Sequence, residues 1–108
     1  MEKVIKNGNV AVLISSGFGA GWSTWNSGNT ARTILFHSKI VKMVEEGRRS
    51  ELTESWVREN CNINDDYICV LGADQLEVVW LQEGTRFIIE EYDGSESVRT
   101  TDDLSYNA

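Results

Sequence analysis

The residues best suited to chemistry lie together in Ser15 to Thr30, SSGFGAGWSTWNSGNT, sixteen consecutive residues with four glycines, three aromatics and no charge. A connection this long without its own secondary structure is uncommon in a compact domain and is characteristic of binding loops. Gly17, Gly19 and Gly21 permit unusual backbone angles and close approach of another molecule, while Phe18, Trp22 and Trp25 supply large flat faces. Ser23, Thr24 and Asn26 can donate to sugar or phosphate oxygens, and Arg32 just beyond the loop can neutralise an anion. Two readings therefore stand. In one, the loop cradles a nucleotide-like ligand, with Trp22 or Trp25 stacking on a base, Ser23 and Asn26 on ribose and Arg32 on phosphate. In the other, Phe18, Trp22 and Trp25 fold back as a hydrophobic plug. Gly17-x-Gly19-x-Gly21 is no dinucleotide fingerprint, because the third glycine spacing, the helix opening directly after it and the βαβ setting are missing.

Other chemistry is thinner. Arg86 and Arg99 are two of only three basic residues after position 50, so each either neutralises a carboxylate or serves an anionic ligand, and ion pairing is the simpler expectation. Arg86 joins the candidate ligand set. His37 is the single histidine, so any Ser-His-Asp, Cys-His or histidine-based zinc arrangement depends on it alone, and its place before a helix cap reads as structural. Cys61 and Cys69 have no second ligand pair and read as reduced, buried side chains. Asp65, Asp66, Asp74 and Glu77 form no recognisable metal-ligand spacing. The expectation is a binding protein without enzymatic activity, cofactor or metal.

The elements that must carry the loop follow from patterning. Lys3 to Lys6 and Asn9 to Ile14 read as strands joined by Asn7-Gly8, the dipeptide suited to a type I′ turn. Val10 to Ile14 is apolar at every position, which predicts a central strand covered on both faces. Ser38 can cap a helix over Lys39 to Glu46 that ends at Gly47, and Ser50 or Thr53 starts a second helix reaching about Asn60, with Leu52, Trp56 and Val57 inward. Tyr67 to Leu71, Glu77 to Gln82, Arg86 to Tyr92 and Glu96 to Thr100 read as a meander with glycine-bearing turns. The fold class is α+β, a mainly antiparallel sheet made of an N-terminal hairpin and a C-terminal meander, with two short helices. One domain spans residues 1–100, and residues 101–108 form a flexible polar tail.

At 108 residues the chain has room for one modest core. Its net charge of −7 divides unevenly: residues 1–50 carry seven Lys/Arg against three acids, and residues 51–108 carry three against fourteen. A body this acidic repels a phosphate backbone, which disfavours extended nucleic-acid binding. The uncharged stretch is too polar to span a bilayer, and the first residues lack the apolar core of a signal peptide, so the expected location is the cytoplasm. A chain this small has little depth for a closed cavity, which predicts a homo-oligomer with a pocket between subunits.

The string VAVLISSGFGAGWSTWN, followed by LFHSKIVKMVEEG and EGTRFIIEEYDGSES, resembles a group of short phage and prophage proteins over most of residues 3–98. The resemblance implies a phage accessory protein in the host cytoplasm. It further implies a counter-defence role, one class of such factors being oligomeric sponges that sequester nucleotide-derived immune signals. The alternative is an acidic inhibitor or adaptor of a host or phage protein, with the aromatic loop as hot-spot anchor.

Overall fold

A computed structural model describes residues 3–101 and 106–108. The fold is α+β, with two three-stranded antiparallel sheets and three α-helices among the described residues. Strand β1 (Ile5–Lys6) turns through Asn7 and Gly8 into β2 (Asn9–Ser15). Both turn residues have positive φ, 52° and 79°, as the type I′ geometry requires. β2 is the middle strand of its sheet, between β1 and β3 (Leu76–Gln82), in a register that sets Asn9 against Gln82 and Ser15 against Leu76.

Successive side chains of a strand point to opposite faces, so β2 serves two cores at once. Ala11 and Leu13 enter a core with Ile40, Val41, Val44, Leu52 and Val57 of the helical layer, and Val10, Val12 and Ile14 enter a second with Leu35, Phe36 and Phe87. The continuous apolar run is explained by this double burial, all five residues from Val10 to Ile14 being buried.

The C-terminal strands depart from a simple meander. β3 joins the N-terminal hairpin, whereas β4 (Arg86–Tyr92) pairs with β5 (Ser95–Thr100) on one side and β6 (Tyr106–Asn107) on the other. The Glu83-Gly84 turn therefore hands the chain from one sheet to the other: Glu83 N donates to Gly8 O and Gly84 N to Ala108 O, both at 2.8 Å. Within the segment expected to be a flexible tail, residues 102–105 lie outside the described residues, while Tyr106–Asn107 is a paired strand and Ala108 is buried.

A third helix, α1 (Gly28–Phe36), stands where the patterning shows only loop. It starts in turn-forming Gly, Asn and Thr, and its apolar end does not form a single stripe. Ile34 packs into the first core, whereas Leu35 and Phe36 pack into the second, so the 3.6-residue period that reveals an amphipathic helix is lost. Conversely, Tyr67 to Leu71 is not a strand. Its pairing partner is a side chain: Asn26 Oδ1 accepts from Cys69 N and Asn26 Nδ2 donates to Cys69 O, both at 2.9 Å.

Helix α2 (Ser38–Glu45) is capped one residue earlier than Ser38, by His37 Nδ1, which accepts from Lys39 N at 3.3 Å. Thr53 caps α3 (Glu54–Asn60) by accepting from Trp56 N at 3.2 Å. Burial, then the charge of Lys39, lower the His37 pKa below its ordinary 6.5. Because the folded-state value is the depressed one, His37 destabilises the fold as pH falls through the ordinary histidine range, and protonation of Nδ1 also removes the cap. The melting temperature is expected to fall between pH 7 and pH 5, and His37→Asn, which caps without titrating, is expected to flatten that slope; equal slopes in wild type and variant would exclude this role.

Candidate functional site

The loop is built around one carboxylate. Glu96, on β5, is 2% exposed, and no lysine, arginine or histidine forms an ion pair with it among the described residues. Donors surround it instead. Oε1 accepts from Ser15 N at 2.9 Å, and Oε2 accepts from Trp22 N at 2.8 Å, Thr24 N at 3.0 Å and Thr24 Oγ1 at 2.5 Å. A buried carboxylate is costly unless its lone pairs are satisfied, and hydrogen bonds to an ionised acceptor are among the strongest that proteins form. The acid binds both ends of the segment Ser15 to Thr24 and closes it into a compact loop.

Close backbone approach completes the closure. Gly19 N donates to Asp93 O at 2.6 Å, Ser95 Oγ to Ser16 O at 2.9 Å and Ser15 Oγ to Ala20 O at 3.0 Å. Gly94, with φ 87°, lies directly under the loop: a Cβ there would sit 2.4 Å from Ala20 N. Gly21 is tucked beneath Trp25, whose Cδ1 would be 2.6 Å from an added Cβ.

Both sequence readings of the aromatics are realised, on different residues. Trp22 is the plug: it is fully buried in the first core and its Nε1 donates to Ile34 O at 2.8 Å, so its ring faces are taken by protein. Phe18 is the displayed ring, 73% exposed, meeting the equally exposed Tyr92 edge to face with centroids 6.5 Å apart. Trp25 is half-buried and its Nε1 donates to Glu91 Oε1 at 2.8 Å. Ser23 is buried, and Asn26 is engaged with Trp22 O and with both backbone groups of Cys69.

The two arginines of the expected ligand set lie elsewhere. Arg86 opens β4 opposite Asn107, about 17 Å along the strand from Glu91 at roughly 3.3 Å per residue. Arg32 lies over the Tyr106 ring, 6.0 Å from its centroid, and Tyr106 pairs with Phe87 at the same end of β4. Arg99 pairs with Glu90 at 3.2 Å. Phe18, Gly19, Gly21 and Trp25 are thus brought together with Tyr92, Glu90, Glu91 and Asp93, and not with Arg32 or Arg86.

A hollow of about 230 Å3 opens between Phe18, Tyr92, Glu90, Glu91, Ser95 and Ser97. Tyr92, Glu91 and Glu96 are not in the ligand set expected from the sequence, where Glu83 to Glu96 is a second candidate segment that reads more simply as two hairpin turns around a strand. Their signal is the Asp93-Gly94 hairpin, which looks like an ordinary turn until the loop is known to rest on it. Cys61 and Cys69 are free and buried, and burial raises the Cys61 thiol to about 11. Among the described residues no group of three or more His, Cys, Asp or Glu could hold a metal ion, and no helix is long and apolar enough to cross a membrane. No family model, curated protein or solved structure matches the chain.

Glu96→Gln keeps the shape but turns an NH2 toward backbone donors. It is expected to cost about 2 to 3 kcal/mol, the scale of buried charged hydrogen bonds left unmade, and to lower the melting temperature by several degrees. Glu91→Gln, on an exposed contact, is expected to stay within about 0.5 kcal/mol. Gly94→Ala is expected to loosen the loop, seen as enhanced amide exchange at Gly19. Equal small effects from all three variants would show that Glu96 does not organise the loop.

Proposed function

We propose that the protein is a non-enzymatic interaction module that engages the basic surface of a partner protein through the Phe18–Tyr92 face. This is the alternative weighed from the sequence, an acidic inhibitor or adaptor of a host or phage protein. The observation that carries the reading is two large exposed rings, Phe18 in the loop anchored by Glu96 and Tyr92 at the end of β4, beside a hollow lined by Glu90 and Glu91. Exposed aromatics are the usual anchors of binding energy, and an anchor already held in place loses little freedom on docking. The surrounding carboxylates select a partner rich in Arg or Lys, with an apolar socket for Phe18.

Two further features support binding over catalysis. Glu96, the deeply buried acid, has its oxygens committed to four donors, and the single histidine spends Nδ1 on a helix cap. Sequestration of a nucleotide-derived ligand at this loop has less support. Its phosphates would face Glu90, Glu91 and Asp93 rather than Arg32 and Arg86, and the Trp22 ring is enclosed. A second copy docking through the same face would set like charges against each other, which disfavours this surface as the interface of a homo-oligomer.

The test is affinity capture from the host cytoplasm, followed by titration of the purified partner. Phe18→Ala and Tyr92→Ala are each expected to weaken binding about tenfold or more, on the scale of a hot-spot residue, and added salt to weaken it further. Tyr67→Ala, an equally bulky exposed ring elsewhere, is expected to have no effect. Binding indifferent to Phe18 and Tyr92 would refute the reading, as would quenching of Trp25 fluorescence by a pooled nucleotide mixture at micromolar concentration.

A further inference from the structure

Apart from the Phe18–Tyr92 face, and built from different elements, a polar hollow of about 500 Å3 lies between the end of α1, the first turn of α2 and the turn after α3. Thr33, His37, Ser38, Lys39, Asn60 and Asn62 line it, and Cys61 backs both this hollow and an adjoining one of about 190 Å3. The size of the larger hollow is in the range of small-molecule sites.

Its chemistry is unlike the rest of the surface. Among the described residues, no acid lines the larger hollow. Lys39 has no carboxylate partner among the described residues, where the ion pairs use Lys6, Arg48, Arg58 and Arg99. Lys39 lines the hollow together with His37 and Cys61, and, beside the larger effect of burial, its charge acts to lower the pKa of both. With Nδ1 of His37 accepting from Lys39 N, the neutral imidazole carries its proton on Nε2 and is a donor there. Asn60 spends Nδ2 on Trp56 O at 2.9 Å and keeps its Oδ1 as an acceptor, while Asn62 and Thr33 add a carboxamide and a hydroxyl. The adjoining hollow ends at Asp65, which accepts from Thr30 Oγ1, so the charge changes sign along the groove.

From this arrangement we infer that the groove between α1, α2 and α3 is a binding site for a small phosphate monoester bearing hydroxyls, its phosphate on Lys39 and His37 and its hydroxyls on Thr33, Asn60 and Asn62. A cation and neutral donors suit the phosphate, and the carboxamides and hydroxyls suit a sugar. Asp65 at the far end opposes a second phosphate. The site is separate from the proposed protein-binding face and does not depend on it.

The experiment is a titration of the 15N-labelled full chain with ribose 5-phosphate, inorganic phosphate and ribose, following the amides of Ser38, Lys39 and Asn62. Saturable shifts at these amides are expected with ribose 5-phosphate, with at least tenfold weaker binding of inorganic phosphate and none of ribose alone. Lys39→Ala is expected to weaken binding at least tenfold and Lys39→Arg to retain it within a few fold. Lys42→Ala, an exposed cation on the same helix, and Phe18→Ala are expected to bind as wild type. Equal affinity for inorganic phosphate and the sugar phosphate, shifts that do not saturate, indifference to Lys39→Ala in a variant that melts normally, or loss of binding in Phe18→Ala would each overturn the inference.

Discussion

A carboxylate removed from water must be supplied with donors, and Glu96 receives four of them from residues seventy-two to eighty-one positions earlier in the chain. Much of the molecule's arrangement depends on that requirement. The donors come from both ends of the loop, so the segment after β2 cannot leave the second sheet without exposing the charge or orphaning backbone N–H groups. Trp22 is carried into the first core by the same peptide that donates to Oε2. Gly94, two residues before Glu96, leaves room for Ala20 to rest on the β4–β5 hairpin. A loop rich in glycine, serine and asparagine, a composition suited to mobility, is thereby held by contacts whose strength resides in charge and burial.

The second organising constraint is β2. Because its two faces enter different cores, it is the wall that joins the helical layer to the second sheet. Glu96 reinforces this junction at the end of β2, through Ser15 N, and the aromatic group of Phe36, Phe87 and Tyr106 reinforces it from the other end of β4. Their centroids lie 5.6 to 6.2 Å apart. Lys3 sits 4.5 Å over the Phe36 ring and donates to Asn107 O at 2.6 Å, tying the start of the described chain to the last strand.

Those constraints decide what is legible in the sequence. The hairpin turn is legible because Asn-Gly acts locally, and the central place of β2 because five apolar residues in a row leave no face of a strand for water. The α+β class and the helices α2 and α3 follow from caps and spacing of the same local kind. Helix α1 is hidden because Ile34, Leu35 and Phe36 answer to two cores, and the segment Tyr67 to Leu71 resembles a strand because its backbone groups at Cys69 are paired, though by the Asn26 side chain. The split of the meander is hidden as well: whether β3 pairs with β2 or β4 depends on the Glu83-Gly84 crossing, and strand patterning is the same in either case. For the candidate site, composition locates the loop but does not assign roles to its three aromatics. That assignment turns on Glu96, which in sequence is one of fourteen acids in the second half.

The charge contrast between the halves acquires a structural meaning on the same grounds. An acid in the second half is either a solvated group, a partner for a cation or a partner for the first half's backbone, and these uses have different consequences for binding. Glu96 is internal and contributes nothing to the outer field beyond its net charge. Glu90 is partly offset by Arg99, and Glu91 is engaged by a neutral indole that leaves its charge in place. The field at the Phe18–Tyr92 face is therefore negative because Glu90, Glu91 and Asp93 outnumber the cations beside them, while Arg32, Lys3 and Arg86 are gathered at the Tyr106 end and Lys39 stands in a groove whose larger lobe is lined by no acid among the described residues. A uniform acidic surface would promote solubility and little else. Separation of the two signs onto different elements suits the two recognitions proposed above, a cationic protein surface on one face and an anion in the groove, which a single mixed patch could not combine.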